Sequence, residues 1–129
     1  MPKSFTELKV WQEGFSLVLQ VYQVTQEFPQ SEQFGLVQQL RRSANSIVAN
    51  IAESHGRYTF KDKIRVLYQA RGEILETRSH LKIGEALHYL PENKAKELDS
   101  RYEGLLKGVN SFIRYLANRN SAQYSQSTS

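Results

Sequence analysis

The sequence predicts an all-α protein, a single-domain antiparallel up-down-up-down four-helix bundle. Prolines occur only at Pro2, Pro29 and Pro91, and the long proline-free blocks between them suit helices. Within each block apolar residues recur at intervals of three and four, the period of an amphipathic helix, and no segment alternates as a strand does. The 129 residues suffice for one core. We expect a bundle domain over residues 1–117, with helices at about 5–28, 32–54, 60–90 and 92–117, and a disordered polar tail at 118–129.

The first predicted helix carries two neighbouring apolar seams. One consists of Leu8, Trp11, Phe15, Val18 and Tyr22, and the other of Val10, Leu17, Val21, Val24 and Phe28. Together they cover about half of the helix circumference, which is more apolar surface than one bundle core uses. Because a second subunit is the simplest partner for this surplus, we predict a homo-oligomer with Trp11 and Phe15 at the subunit interface.

The second predicted helix follows a turn at Phe28-Pro29. Ser31 is expected to cap its N-terminus, with Glu32 in the first turn, where the helix dipole favours negative charge. Gly56 then suits a left-handed turn, and Thr59 with Asp62 three residues later predicts a capped start of the third helix. The apolar stripe of the second helix consists of Leu36, Leu40, Ala44, Ile47, Val48 and Ile51.

The third and fourth helices continue the pattern. Arg71 and Arg78 lie at the margin of the apolar face of the third helix, where they either extend into solvent or pair across a subunit interface, and we include them as interface candidates. Beyond Ala117 the sequence has almost nothing to bury, which predicts the disordered tail. The inward residues are Ile64, Leu67, Ala70, Ile74, Leu81 and Gly84 in the third helix and Ala95, Leu98, Tyr102, Leu105, Val109, Phe112 and Leu116 in the fourth.

The residues that most enzymes need are missing from the sequence. It has no cysteine, no glycine-rich phosphate loop, no nucleophile elbow and no pair of histidines at metal-ligand spacing. Glu85 and His88 match one Glu-x-x-His element of a di-iron bundle, but such a site needs two of these elements and two further carboxylates. We therefore predict no enzymatic activity, no cofactor and no metal. With no apolar leader or long apolar segment, the sequence also predicts a cytoplasmic protein that does not interact with membranes.

The positive charge is concentrated in the middle of the chain. The net charge is +4, yet residues 41–82 contain nine Lys and Arg against four Asp and Glu, and the rest of the chain is slightly acidic. Such a cluster with an aromatic residue is typical of proteins that contact phosphates and stack on bases, so RNA or DNA is the predicted partner. An ordinary solvated surface, or a protein-interaction scaffold with no nucleic-acid role, is the alternative. The candidate nucleic-acid-binding residues are Arg41, Arg42, Arg57, Tyr58, Lys61, Lys63 and Arg65.

Several short blocks of the sequence match a known family. They are Leu8-Lys9-Val10-Trp11, Phe28-Pro29, Phe34-Gly35-Leu36, Gln39-Leu40-Arg41-Arg42-Ser43-Ala44, Ser46-Ile47, and Ala49-Asn50-Ile51-Ala52-Glu53 followed by Gly56-Arg57. Over about Ser4 to Leu116 the chain resembles the four-helix-bundle proteins encoded in intervening sequences of bacterial 23S ribosomal RNA genes. That family includes the accessory variability determinant proteins of diversity-generating retroelements. Gly14 stands where the family usually has alanine.

The resemblance implies a bundle that assembles as a homopentamer and has no enzymatic activity of its own. In the retroelement branch it also implies a basic surface that binds nucleic acid and an association with the element's reverse transcriptase. The residues leave open whether the chain belongs to this branch or to the ribosomal RNA insertions, and whether its ligand is RNA or DNA.

Overall fold

The computed structural model describes residues 2–128, and side chains are described as far as residue 123. Within this range the chain forms four α-helices and no strand: α1 (Lys9–Thr25), α2 (Leu36–Gly56), α3 (Phe60–Ala86) and α4 (Glu92–Thr128). Short 3₁₀ turns cover Phe5–Glu7 and Gln30–Glu32. Each helix packs against the next, and α1 packs against α4, so that α1 and α3 lie diagonally across the bundle. The predicted all-α four-helix bundle is therefore confirmed.

Side-chain contacts fix the antiparallel register. Lys94 of α4 donates to Gln20 of α1 at 2.8 Å, and Arg101 donates to Glu13 at 3.0 Å, so α4 descends as α1 rises. The Lys63 ammonium near the start of α3 lies 2.7 Å from the carbonyl oxygen of His55 near the end of α2. One end of the bundle therefore brings together the end of α2, the start of α3 and the C-terminal part of α4.

The core follows the predicted seams closely. The residues on the inward seam of α4 are buried from Ala95 to Leu116, and Tyr102 among them is fully buried. Phe112 is the exception on that seam, being half-buried while its neighbour Ile113 takes the buried position. Buried residues on the other helices are Leu17, Val21, Leu40, Ala44, Ile47, Ile51, Leu67, Ala70, Ile74 and Leu81.

The bundle core leaves part of the apolar surface of α1 uncovered. The core buries most of one seam, from Leu17 to Phe28, whereas Phe15 and Tyr22 of the other remain exposed. Leu19 beside them is 55% exposed. Trp11 is half-buried and stacks on Phe15 with ring centroids 5.0 Å apart. The outer face of α1 thus carries a row of large apolar side chains that the bundle does not cover.

The turn between α1 and α2 is longer than the sequence predicts. The α-helix ends at Thr25 instead of residue 28, because the amides of Glu27 and Phe28 bond three residues back and tighten the last turn. The next α-helix begins at Leu36 instead of residue 32. Its first amide is met by the Glu32 carboxylate at 3.3 Å, and Ser31 does not cap the helix.

The ends of α2 and α3 show one confirmed cap and two differences. The Thr59 hydroxyl accepts from the Asp62 amide at 3.1 Å, as predicted. Gly56 has no positive φ and remains helical, since extended Arg57 ends α2 instead. The third helix ends at Ala86, before residue 90, because His88 adopts a φ of 62° and the Tyr89 amide bonds back to the Gly84 carbonyl at 2.9 Å.

The structure continues α4 to Thr128, whereas the sequence predicts a disordered tail from residue 118. No glycine or proline follows Ala117, so nothing in the backbone interrupts the helical hydrogen bonds. Residues 117–123 are all exposed, and Leu116 is the last buried residue of the part whose side chains are described. Helix α4 therefore projects beyond the core.

Substitution of Gly14 tests how closely α1 and α2 approach. A Cβ at Gly14 would lie 2.9 Å from Cγ1 of Val48, a stiff β-branched side chain, whereas a Cβ at Gly104 meets nothing within 4 Å. Helix propensity alone favours alanine by about 1 kcal/mol at both sites. We expect Gly104→Ala to raise the free energy of unfolding by up to about 1 kcal/mol, and Gly14→Ala to lower it because overpacking outweighs propensity.

Urea denaturation of both variants measures this difference. A Gly14→Ala protein as stabilised as Gly104→Ala would show that the contact with Val48 does not restrict the site.

Candidate nucleic-acid interface

Four of the seven candidate nucleic-acid-binding residues lie together at one end of the bundle. They are Arg57, Tyr58, Lys61 and Arg65, on the connection between α2 and α3 and the first turns of α3. We call this end of the bundle the basic end. Its backbone passes through two extended residues, Arg57 and Thr59, which place Tyr58 at the tip of the connection.

Tyr58 and Lys61 are available to a ligand. Tyr58 is 97% exposed, so its ring is almost fully in solvent. Lys61 is exposed, and no ion pair or hydrogen bond to another described residue holds its ammonium group. An exposed ring beside a free cation is the combination that stacks on a base and contacts its phosphate.

Arg57 and Arg65 are held only by local, exposed ion pairs. Arg57 pairs with Glu53 one turn earlier, and this carboxylate raises the pKa of the guanidinium. Arg65 lies 3.7 Å from Asp62. Exposed pairs between neighbouring turns contribute little to stability, so a phosphate competes with them easily.

Lys63 has a structural contact that the sequence does not reveal. Its ammonium donates to the carbonyl oxygens of Ser54 and His55, at 3.3 and 2.7 Å, in the last turn of α2. It therefore neutralises the negative end of the helix dipole, and partial burial lowers the pKa of its side chain. Lys63 thus lies at the basic end, but its ammonium group is bonded to the last turn of α2.

Arg41 and Arg42 lie apart from the basic end. Arg41 donates to the Thr25 hydroxyl at 3.0 Å and stacks over the Tyr22 ring at 4.5 Å, so it joins α2 to α1. Arg42 pairs with Glu76 and lies 3.5 Å from Glu73, which joins α2 to α3. Burial raises the pKa of Glu73, although Arg42 acts in the opposite direction.

The residues predicted for the subunit interface fall into two groups, arginines bonded within the chain and aromatic residues on α1. Arg78 binds both carboxylate oxygens of Asp99, at 2.9 and 3.2 Å, and this bidentate pair lowers the pKa of Asp99. Arg71 donates to Asn110 at 3.3 Å and stacks over Tyr68. These two arginines hold α3 to α4, whereas Phe15 stays exposed on α1, and their role between subunits remains a prediction.

The structure adds Arg114 and Arg119 to the basic end. Both are exposed on the part of α4 that passes beside the start of α3, and Arg119 lines a shallow cleft with Phe60. The sequence analysis missed Arg114 because no local pattern connects residue 114 with the α2–α3 connection. It missed Arg119 because it placed residue 119 in a disordered tail. The missing signal was the absence of any helix breaker after Ala117.

The described part of the chain offers no obvious catalytic centre. No group of three His, Asp or Glu residues in it is arranged to hold a metal ion. Glu85 and His88 lie at the end of α3, where His88 adopts the left-handed conformation that terminates the helix. No helix of the described residues is long and apolar enough to cross a membrane.

Fold and site together define a four-helix-bundle protein with one basic end. Residues 6–111 match the family described as 23S rRNA-intervening sequence protein, and the chain belongs to this family. The family's description names no enzymatic reaction.

A solved structure shows the same fold. It is the 1.70 Å crystal structure of a protein of unknown function from the S23 ribosomal protein family of Bacteroides thetaiotaomicron. The two share 22% identity with a TM-score of 0.76, over 81% of this chain and 95% of the other. No curated protein matches the chain.

The pair between Arg78 and Asp99 predicts a pH-dependent stability. A carboxyl whose pKa is lowered by folding stabilises the folded state above its unfolded pKa, about 3.9, and this contribution is lost as pH falls through the folded pKa. Asp99→Asn should lower the free energy of unfolding by about 1–2 kcal/mol at pH 7. The difference from wild type should shrink below pH 4.

Urea denaturation between pH 7 and pH 2 measures it. Glu92→Gln is the control, because its pair with Lys96 is exposed and lies within α4, so it should contribute little. An Asp99→Asn effect that does not change with pH would contradict the assignment.

Proposed function

We propose that the protein is a non-enzymatic, homo-oligomeric nucleic-acid-binding accessory protein that contacts RNA or DNA with its basic end. The observation that carries this proposal is the nearly fully exposed Tyr58 ring, flanked by Arg57, Lys61 and Arg65. The exposed Phe34 ring lies in a cleft with Arg41 and Arg42, but both of these arginines are engaged with neighbouring helices.

Charge is polarised along the bundle. The basic end, over residues 2–9, 53–65 and 114–119, holds eight cations against three carboxylates: Lys3, Lys9, Arg57, Lys61, Lys63, Arg65, Arg114 and Arg119 with Glu7, Glu53 and Asp62. The opposite end, over residues 26–36 and 82–99, holds six carboxylates against three lysines. A polyanion that approaches the protein is therefore oriented towards the basic end and repelled from the other.

The geometry favours unpaired nucleotides over a duplex. The Tyr58 ring stands clear of the bundle, where a splayed base can stack on it, and such stacking contributes about 1–3 kcal/mol per base. A base inside a duplex is already stacked on its neighbours and is not available to the ring. We expect Lys61 and Arg65 to contact the phosphates on either side of the stacked base, because both follow Tyr58 within two turns of the chain.

Two neighbouring lysines test the phosphate contacts. Each true contact replaced by a neutral residue should reduce the slope of log K against log salt by roughly one. Lys61→Met should produce that change without altering stability. Lys63→Met should leave the slope unchanged and lower the free energy of unfolding by about 1 kcal/mol, because it removes the charge at the end of α2.

Fluorescence anisotropy with a labelled single strand, titrated at several salt concentrations, measures both slopes. Binding that does not depend on salt, or equal slope changes in the two variants, would refute the assignment of the basic end.

Tyr58 tests the stacking contact separately. Tyr58→Ala should weaken single-strand binding by about 10-fold or more with no change in the salt slope, while Tyr58→Phe keeps the affinity. Duplex binding should be the same in all three proteins. An equal loss on single strands and duplexes would contradict stacking on unpaired bases.

A second candidate function is a protein-interaction scaffold. It is favoured by Phe34, which is 85% exposed in the turn before α2 and lines an open cleft with Tyr22 and Arg41. Exposed aromatic side chains beside arginine are typical of binding hot spots. In this case the salt titrations above would show no nucleic-acid binding at any ionic strength.

A reverse transcriptase is the protein partner implied by the retroelement branch of the family. The position of the gene tests this point: a neighbouring reverse transcriptase gene with a template repeat supports it, and a position inside a ribosomal RNA gene contradicts it.

A further inference from the structure

Packing within the chain does not explain the part of α4 beyond Leu116, which we call the α4 extension (residues 117–128). Its residues 117–123 are all exposed and contribute no side chain to the core. Residues 118–123 consist mostly of Asn, Ser and Gln, and Asn and Ser have low helix propensity. Most helices in proteins are stabilised by packing one face against the fold, and this one has no such face in the bundle. A contact outside the bundle is therefore the natural use of the α4 extension.

The inward seam of α4 continues into the α4 extension with a change of chemistry. Val109, Ile113 and Leu116 are buried at intervals of four and three residues. The next two positions of this repeat are Asn120 and Gln123, and both are exposed. The side of α4 that faces the core therefore carries amides once the helix passes the basic end. Amides at these positions can bond to a polar ligand, whereas apolar residues would be needed to extend the core.

The charge of the second half of α4 has one sign. No Asp or Glu follows Glu103 in the sequence, whereas Lys107, Arg114 and Arg119 do. The other polar residues of this half are Asn, Gln, Ser, Thr and Tyr. These residue types, together with Lys and Arg, make most contacts to the phosphates and sugars of nucleic acids. Since a solvated helix normally mixes both signs of charge, the composition favours a polyanion as the neighbour of the α4 extension.

The start of α3 and the α4 extension border a cleft of about 320 Å³. This volume is within the range of about 300–1,000 Å³ typical of small-ligand sites. The cleft is lined by Phe60, Arg119, Ala122 and Gln123. Phe60 is partly buried against the core, which fixes its ring, and Arg119 and Gln123 are exposed. An aromatic ring, a side-chain amide and a guanidinium are the groups that hold the base, the base edge and the phosphate of an unpaired nucleotide.

The cleft adjoins the stacking site at Tyr58. Tyr58 and Phe60 are two residues apart in the chain, so their Cα atoms lie within about 7 Å of each other. This separation is about twice the 3.4 Å between stacked nucleotides of one strand. It suits two neighbouring nucleotides whose bases are pulled apart, each against its own ring. Such a strand is unpaired, as the exposed Tyr58 ring also requires.

We propose that the cleft between Phe60 and the α4 extension is a second nucleotide subsite, which holds the unpaired nucleotide next to the one stacked on Tyr58. The base lies against Phe60, its edge bonds to the Gln123 amide, and its phosphate binds Arg119. This inference rests on the proposed function and extends its site from one nucleotide to two.

Replacing residues 118–129 by a glycine-serine linker of the same length tests the subsite as a whole. The core ends at Leu116, so urea denaturation should give the wild-type free energy of unfolding. Fluorescence anisotropy with a labelled oligothymidylate should show an affinity about 10-fold lower than wild type, because one base contact is lost. The slope of log K against log salt should fall by roughly one, because one phosphate contact is lost. The loss of affinity for a duplex should be smaller, since its bases cannot enter the cleft.

Two cations of the same helix test the phosphate contact. Arg119→Met should reduce the salt slope by roughly one. Lys107→Met is the matched control and should leave the slope unchanged. Lys107 is also exposed on α4, but it lies about 18 Å earlier along the helix and pairs with Glu103.

Phe60→Leu tests the base contact. Leucine keeps an apolar side chain against the core, so the fold is retained, and it removes the ring. Single-strand affinity should fall about 5-fold or more with an unchanged salt slope. Urea denaturation of the variant confirms that it is fully folded under the conditions of the titration.

The remaining outcomes separate two failures. A wild-type protein that binds no strand at any salt concentration overturns the proposed function and the subsite together. A linker variant with wild-type affinity and salt slope overturns the subsite alone and leaves Tyr58 as the only stacking site.

Three further results also overturn the subsite. Equal slope changes in Arg119→Met and Lys107→Met would show that α4 acts only through its general charge. Equal losses on single strands and duplexes would show that no base enters the cleft. A linker variant with a lower mass than wild type by light scattering, and unchanged strand binding, would assign the α4 extension to contacts between copies of the chain.

Discussion

The continuous apolar seam of α4, from Ala95 to Leu116, fixes where the other helices stand along the bundle. Like the seam of α2, it reaches both α1 and α3, and its polar neighbours bond to each of them: Arg101 to Glu13 on α1, and Asp99 to Arg78 on α3. Close approach adds to this constraint, since Leu105 packs against Gly14. The position of α4 beside the start of α3 follows from this register.

The contacts that each cation makes within the chain decide whether it can bind a ligand, and the net charge of a segment does not. Between residues 41 and 82 the sequence has a clear positive excess, but Arg42, Arg71 and Arg78 are engaged with acceptors on neighbouring helices. Lys63 serves the end of α2. The cations of this segment that remain free are concentrated at the α2–α3 connection, around Tyr58. The α2–α3 connection was found from the sequence because its cations are adjacent in the chain, whereas partners such as Asn110 and Asp99 lie about 20 to 40 residues away and no local pattern indicates them.

Most of the fold could be predicted because burial repeats with the helical period. The seams of α3 and α4 and the surplus of α1 follow directly from that repeat. Helix ends depend on single hydrogen bonds, which leave weaker patterns in the sequence. The Glu32 carboxylate accepts from the amide four residues later, and His88 adopts a conformation more typical of glycine. The same limitation applies to the end of α4, where low apolar content suggested disorder but no residue stops the helix.

Because one chain has few free cations, the proposed nucleic-acid binding depends on the proposed assembly of several copies. One chain offers three cations around Tyr58, namely Arg57, Lys61 and Arg65, and two of these are paired with Glu53 and Asp62. Contacts of this number give weak, salt-sensitive affinity, because each phosphate contact adds only one counterion release. In the proposed homo-oligomer every copy carries the same tip, so a strand that leaves one tip would still be held near another at high effective concentration. A modest charge per chain would then be sufficient for the proposed binding, because several copies act together.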